Sequence, residues 1–131
     1  MTNDVKDKIQ SFTDLHTWQE GHKLVVATYN FTKTLPPEES FGLRSQMQRA
    51  AVSITSNIAE GFSRGSFTEK KQFYLIAKGS LTELQNQLLI AKDVGYLSAD
   101  VFKKLADQSK TTHNLLIGLI RATKEHSRRP T

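Results

Sequence analysis

Apolar residues recur along this chain at spacings of three and four, the pattern of helices with one buried face. In the first stretch Leu15, Trp18, His22, Val25, Tyr29 and Thr32 share a seam. Pro36 and Pro37 end it, because the residue before a proline is steered away from helical geometry. In the second, residues 43–61, the seam is Leu43, Met47, Ala50, Ile54 and Ile58, and Gly65 is placed to close the helix in a left-handed cap. The third opens on Ser66-x-x-Glu69, a capping box, and carries Phe73, Ala77, Leu81, Leu84, Leu88 and Ala91 before Gly95 stops it. The fourth opens on Ser98, an N-cap residue, with Phe102, Leu105, Ser109, Thr112, Leu116 and Leu119 on its seam. Nothing alternates with the two-residue period of a strand. The pattern predicts an all-α domain: a flexible segment 1–14, helices at about 15–34, 39–63, 67–94 and 98–125, and a basic tail 126–131. Short connections favour antiparallel neighbours, so the expected architecture is an up-down-up-down four-helix bundle.

The second helix has another stripe, well round from its apolar one. Gln46, Arg49, Ser53, Ser56 and Glu60 line it, with Asn57 at its edge and small residues (Ala50, Ala51, Ala59) between. An ordinary wet face carries Lys and Glu; this one looks built to be covered. Val52, Ala59, Leu75, Leu89, Ile90, Leu115 and Ile120 are also left over from the four seams. An aligned second apolar stripe marks a subunit interface.

At 131 residues, 37% hydrophobic and 24% charged, the chain fits one globular domain. The absence of cysteine excludes disulfides, thiolate catalysis and Cys-based zinc sites. The polar start does not read as a signal peptide, and no apolar run approaches the roughly 18 residues of a membrane span, so a cytoplasmic protein is expected. Net charge is +5 and unevenly placed. Residues 98–131 carry Lys103, Lys104, Lys110, Arg121, Lys124, Arg128 and Arg129 against Asp100, Asp107 and Glu125, a net of +4. A basic patch is the electrostatic footprint of nucleic-acid binding. Charge of this size also serves solubility alone.

Catalytic chemistry finds little footing. No Gly-rich phosphate loop occurs. His16, His22, His113 and His126 follow Thr13, Gln19, Lys110 and Thr123 by three residues, so the Glu-x-x-His pairs of two-metal bundles are missing. No metal, no cofactor and no enzyme activity are expected. His22, on the first seam, is read as a buried, hydrogen-bonded core residue. Trp18 and the phenylalanines are spaced as core, not as stacking platforms. Tyr74 and Tyr96, with Lys70, Lys71 and Lys78 near in sequence, are the aromatics that could lie exposed. Gln46, Arg49, Ser53, Asn57 and Glu60 are expected to form a hydrogen-bond network at a subunit boundary, since a buried guanidinium must be paired. A small anion or metabolite site on the same groups is the alternative.

Three segments carry a family resemblance. Phe12-x-Asp14-Leu15-x-x-Trp18-Gln19 with Tyr29 opens it. The most specific is Phe41-Gly42-Leu43-x-x-Gln46-x-x-Arg49-Ala50-Ala51-x-Ser53-Ile54-x-Ser56-Asn57-Ile58-Ala59-Glu60-Gly61. Ala77-x-Gly79-Ser80-Leu81-x-Glu83-Leu84 and the turn Gly95-Tyr96-Leu97 complete it. Across residues 12–124 the chain resembles the four-helix-bundle proteins encoded in intervening sequences of bacterial 23S ribosomal RNA genes. It departs at Gly21, where relatives more often carry alanine; glycine inside a helix costs roughly 1 kcal/mol. The resemblance implies an antiparallel bundle assembled as a ring-shaped homopentamer. A similar branch, the accessory variability determinant of diversity-generating retroelements, binds nucleic acid and a reverse transcriptase through a basic surface. The combined expectation is a non-enzymatic homo-oligomer. It binds structured RNA or DNA through Lys103, Lys104, Lys110, Arg121, Lys124, Arg128 and Arg129, without reading sequence. The alternative is a scaffold docking an acidic protein partner such as a reverse transcriptase or polymerase.

Overall fold

The computed structural model describes residues 8–128. Four helices follow one another: α1 (His16–Thr32), α2 (Leu43–Phe62), α3 (Phe67–Asp93) and α4 (Ala99–Ser127). Short 3-10 turns at Phe12–Asp14 and Pro37–Glu39 precede the first two, and no strand occurs among the described residues. Each helix packs on two others: α1 on α2 and α4, and α3 on α2 and α4. Polar pairs pin these contacts. Thr17 Oγ1 donates to the Leu115 carbonyl at 3.2 Å, Gln48 Nε2 to Thr32 Oγ1 at 3.0 Å, and the Ser53 and Ser80 hydroxyls share a 2.7 Å bond.

The seams of α2, α3 and α4 lie where their apolar spacing puts them. Met47, Ala50, Ile54 and Ile58 are buried, as are Ala77, Leu81, Leu84, Leu88 and Ala91, and Leu105, Ser109, Thr112 and Leu116. The seam of α1 does so only at its ends, Leu15 and Thr32. Its buried stripe is Thr17, Gly21, Leu24, Thr28, Phe31 and Thr32, rotated from the expected one. His22, expected in the core, is exposed and stacks on half-buried Trp18 at 4.7 Å and 14°. The reason is chemical. Three threonines and a glycine line the buried stripe, and threonine can be buried once its hydroxyl is satisfied. Thr28 Oγ1 donates to the Leu24 carbonyl at 2.8 Å, and Thr32 Oγ1 to that of Tyr29 at 3.1 Å. Gly21 allows close approach: a Cβ on it would press on Thr55 Cγ2 at 3.2 Å.

Helix ends show what stops and starts each element. α2 begins at Leu43, four residues after the expected start, because Pro37–Glu39 winds as a 3-10 turn and Glu39 Oε1 then accepts from the Leu43 amide at 3.0 Å. Its other end has no left-handed Gly65; the described glycine with positive φ is Gly95, at 90°, after α3. Lys70 takes the capping role instead. Its Nζ donates to the Phe62 carbonyl at 2.6 Å and reaches that of Gly61 at 3.4 Å, so a cation sits at the negative end of the helix dipole. Burial there lowers the Lys70 pKa below the ordinary lysine value. Ser66 and Ser98 cap α3 and α4, accepting from the Glu69 and Val101 amides at 3.2 Å, but the expected capping box at Ser66 is incomplete: the Glu69 carboxylate accepts from the Ser66 hydroxyl at 3.2 Å and not from its amide. Within the segment 1–14, Ser11 and Asp14 close a capping box around the first 3-10 turn.

Candidate nucleic-acid interface

Lysines recur on α3 at Lys71, Lys78 and Lys92, and on α4 at Lys103, Lys110 and Lys124. The spacing is the same on both helices: seven residues, then fourteen. Gln85 and Ile117 fill the two vacant positions. Seven residues are close to two helical turns, so each set stacks into one row with about 10.5 Å between successive positions and about 31 Å end to end. The rows flank the contact between the two helices. Gln85 Nε2 donates to Ser109 Oγ at 3.2 Å, and Lys92 Nζ lies 4.6 Å from the centroid of the Phe102 ring. From the first pairing to the second the residue number rises by seven on α3 and falls by seven on α4. At that register Lys92 falls level with Lys103, and Lys71 with Lys124, across one groove.

Five of the six side chains are exposed and Lys78 is half-buried. The carboxylates mostly lie elsewhere. At about 100° per residue, Glu69 and Glu83 fall across α3 from its row, and Asp100, Asp107 and Glu125 fall outside the groove on α4. Asp93, at the end of α3, comes nearest. Lys103 is tied to the outer face, its Nζ donating to Asp107 Oδ2 at 2.8 Å. That bond raises its pKa above the ordinary lysine value. The pair is exposed and adds little to stability.

The residues singled out on the fourth helix divide between two faces. Lys103, Lys110 and Lys124 form its row. Arg121 and Arg128, about five and seven turns from Lys103, continue the outer edge. Lys104 points elsewhere, into a cleft of about 740 Å³ between α1 and α4 with Phe31, Leu97, Val101 and Leu105. Arg129 lies outside the described residues. Charge balance along the chain does not single out Lys92, and it places Lys71 and Lys78 only near Tyr74 in sequence. The signal was the shared seven-residue spacing. Tyr74 itself is 1% exposed, and burial pushes its hydroxyl up to about 12. Tyr96 is half-buried, and its hydroxyl donates to Glu39 Oε2 at 3.0 Å.

The polar stripe of α2 is broken into parts within one chain. Asn57 Nδ2 donates to the Ser53 carbonyl at 2.8 Å and to its hydroxyl at 3.1 Å, joining the Ser53–Ser80 bond. Glu60 pairs with Arg64 at 2.9 Å instead of with Arg49, which is eleven residues and about 16 Å along the helix. Gln46 and Arg49 are exposed. Arg49 stands between two clefts: one of about 420 Å³ with Tyr29 and Val52, and one of about 490 Å³ with Phe41 and Glu83. Phe41 is 98% exposed.

Residues 13–118 match the family described as 23S rRNA-intervening sequence protein. The chain belongs to this family. The match takes in both lysine rows except Lys124. No curated protein matches the chain. Among solved structures, a protein of unknown function from the S23 ribosomal protein family of Bacteroides thetaiotaomicron superposes with a TM-score of 0.74. It is 22% identical, and the alignment covers 79% of this chain and 97% of that one. The likeness is one of fold. Among the described residues no helix is long and apolar enough to cross a membrane, and no three His, Asp or Glu residues cluster as metal ligands.

Proposed function

We propose that this family member is a non-enzymatic, cytoplasmic, antiparallel four-helix bundle that binds the phosphate backbone of structured RNA. One observation carries the reading: two lysine rows with identical spacing flank a single groove from which most carboxylates are turned away. Lys71, Lys78 and Lys92 flank it from one side and Lys110 and Lys124 from the other, joined by Lys103 once its exposed pair with Asp107 opens, with Arg121 and Arg128 on the rim. Six ammonium groups at about 10 to 20 Å intervals suit a polyanion better than a small ligand. Such contacts position a backbone and read charge and shape, not sequence.

The same proposal includes a homo-oligomer, with five copies implied by the resemblance. Support comes from the face around Arg49. A fully exposed phenylalanine beside an arginine between two clefts is an unusual surface for an isolated chain. A ring of +5 protomers would multiply weak phosphate contacts into high avidity. The test is a charge-reversal triple, Lys78→Glu, Lys110→Glu and Lys124→Glu, assayed for binding to structured RNA and for mass by sedimentation. Lost RNA binding with unchanged mass supports the groove. Unchanged binding contradicts it. A protein partner retained after nuclease treatment, by a variant that no longer binds RNA, would favour the scaffold reading.

A further inference from the structure

The floor of the lysine groove is not flat. Beneath the Gln85–Ser109 bond lies a notch of about 270 Å³. Leu88 and Leu89 from α3 and Phe102 and Ala106 from α4 make its walls almost wholly apolar. Leu89 is 46% exposed although it faces this contact, and Phe102 is half-buried. The notch is therefore a hydrophobic hole in the middle of a cationic strip. Lys110 lines one edge, and Lys92 sits at the other over the Phe102 ring.

Two properties narrow what fits. The volume is below the roughly 300–1,000 Å³ of drug-sized ligand sites, so the occupant is one small planar or apolar group. The surrounding charge is positive, so that group hangs from an anionic chain. Ser109 Oγ donates to the Ala106 carbonyl at 2.8 Å and accepts from Gln85 at 3.2 Å. The Gln85 amide is held by that bond, and its carbonyl oxygen can still accept from the edge of a base.

We propose that this notch takes one unpaired base of the bound RNA. The base slides between Leu89 and Phe102 while its flanking phosphates lie against Lys92 and Lys110. The inference rests on the groove being the nucleic-acid interface, and it adds a preference: bulged or looped RNA over a continuous duplex. A duplex keeps its bases stacked inside and offers the groove only phosphates. An extruded base offers the notch a flat apolar face, and stacking of this kind raises affinity several-fold or more per base.

Two hairpins of equal length and charge test it, one fully paired in its stem and one with a single bulged 2-aminopurine. Fluorescence anisotropy gives affinity, and 2-aminopurine emission reports the environment of the bulged base. The expected result is about tenfold tighter binding of the bulged hairpin, with its emission changing on saturation. Ala106→Leu, which fills the notch with a good helix former, is expected to remove the preference and leave fully paired hairpin affinity within about twofold. Phe102→Leu, which keeps the core apolar, is expected to weaken the preference. Equal affinities for the two hairpins, or a preference that survives Ala106→Leu, would overturn the proposal. So would a fall in oligomer mass in Ala106→Leu, which would assign the notch to a second copy of the chain. If neither hairpin binds, the groove reading fails and this one falls with it.

Discussion

Replacing Lys78 and Lys110 by glutamine removes the same charge as replacing Lys33 and Lys104, but from a different place. Lys78 and Lys110 stand on facing rows of one groove, whereas Lys104 lines the α1–α4 cleft and Lys33 follows the end of α1. If bulk charge alone attracts RNA, the two double variants weaken binding alike. If the rows touch phosphates, they do not. Each phosphate contact contributes about 0.9 to the slope of log affinity against log salt for a B-form duplex, and about 0.7 for a single strand. Losing two contacts therefore lowers the slope by about 1.4 to 1.8. Extrapolated to 0.15 M salt, the duplex value is about fivefold per contact, or about 30-fold for the pair. The control pair is expected to keep the wild-type slope and lose no more than about threefold, through the long-range field alone. Neither double variant removes a core side chain, so thermal denaturation should be unchanged. Anisotropy titrations at four salt concentrations separate the cases. Equal slopes in the two doubles would refute the assignment of these lysines to phosphate contacts.

The glycines make an opposite pair of predictions. A Cβ on Gly61 would lie 2.6 Å from Cε1 and 2.9 Å from Cδ1 of buried Tyr74, so Gly61→Ala should destabilise the fold by about 1–3 kcal/mol in urea denaturation. Gly79 lies within α3 with nothing within 4 Å of a built Cβ, so Gly79→Ala should stabilise by about 0.4–1 kcal/mol. Equal signs would contradict the packing described around Tyr74. Tyr74 also sets an alkaline limit. Its hydroxyl is raised from 10.0 to about 12, so the native state favours the neutral ring. The stability this contributes is fully present below pH 10 and is lost as pH rises through about 12. Absorbance at 295 nm should show late tyrosine ionisation that Tyr74→Phe reduces but does not abolish, because the hydrogen bond to Glu39 also raises the Tyr96 hydroxyl. Arg49→Ala and Phe41→Ser should each lower oligomer mass in sedimentation at micromolar concentration; an intact oligomer in both would remove that face from the assembly.

Three of the four buried faces could be read from apolar spacing, because Leu, Ile and Met at three and four leave little ambiguity. α1 could not. Its inner stripe sets Leu24 and Phe31 among Thr17, Gly21, Thr28 and Thr32, and a threonine looks polar until a carbonyl satisfies its hydroxyl. Trp18, His22 and Val25 lie just beside that stripe and offered a plausible but rotated seam. The end of α2 was misread for a similar reason. A glycine in the right place was visible, but the lysine reaching back from the next helix was a tertiary event.

The candidate interface was half legible. The excess of Lys and Arg on the last helix was plain from charge alone. The partner row on α3 was not, because Lys71, Lys78 and Lys92 are diluted by Glu69, Glu83 and Asp93 and the helix has little net charge. Only the packing of α3 on α4 shows that the two rows share a groove. Lys104 belongs to the same charged segment but lines the α1–α4 cleft instead of this groove.

The most direct test is the binding of a fluorescent structured RNA to the full chain from about 50 to 200 mM salt. Six lysine contacts predict that affinity falls about 10³-fold across that range, with a log–log slope near −5. No binding at 50 mM, or an affinity indifferent to salt, would contradict the account.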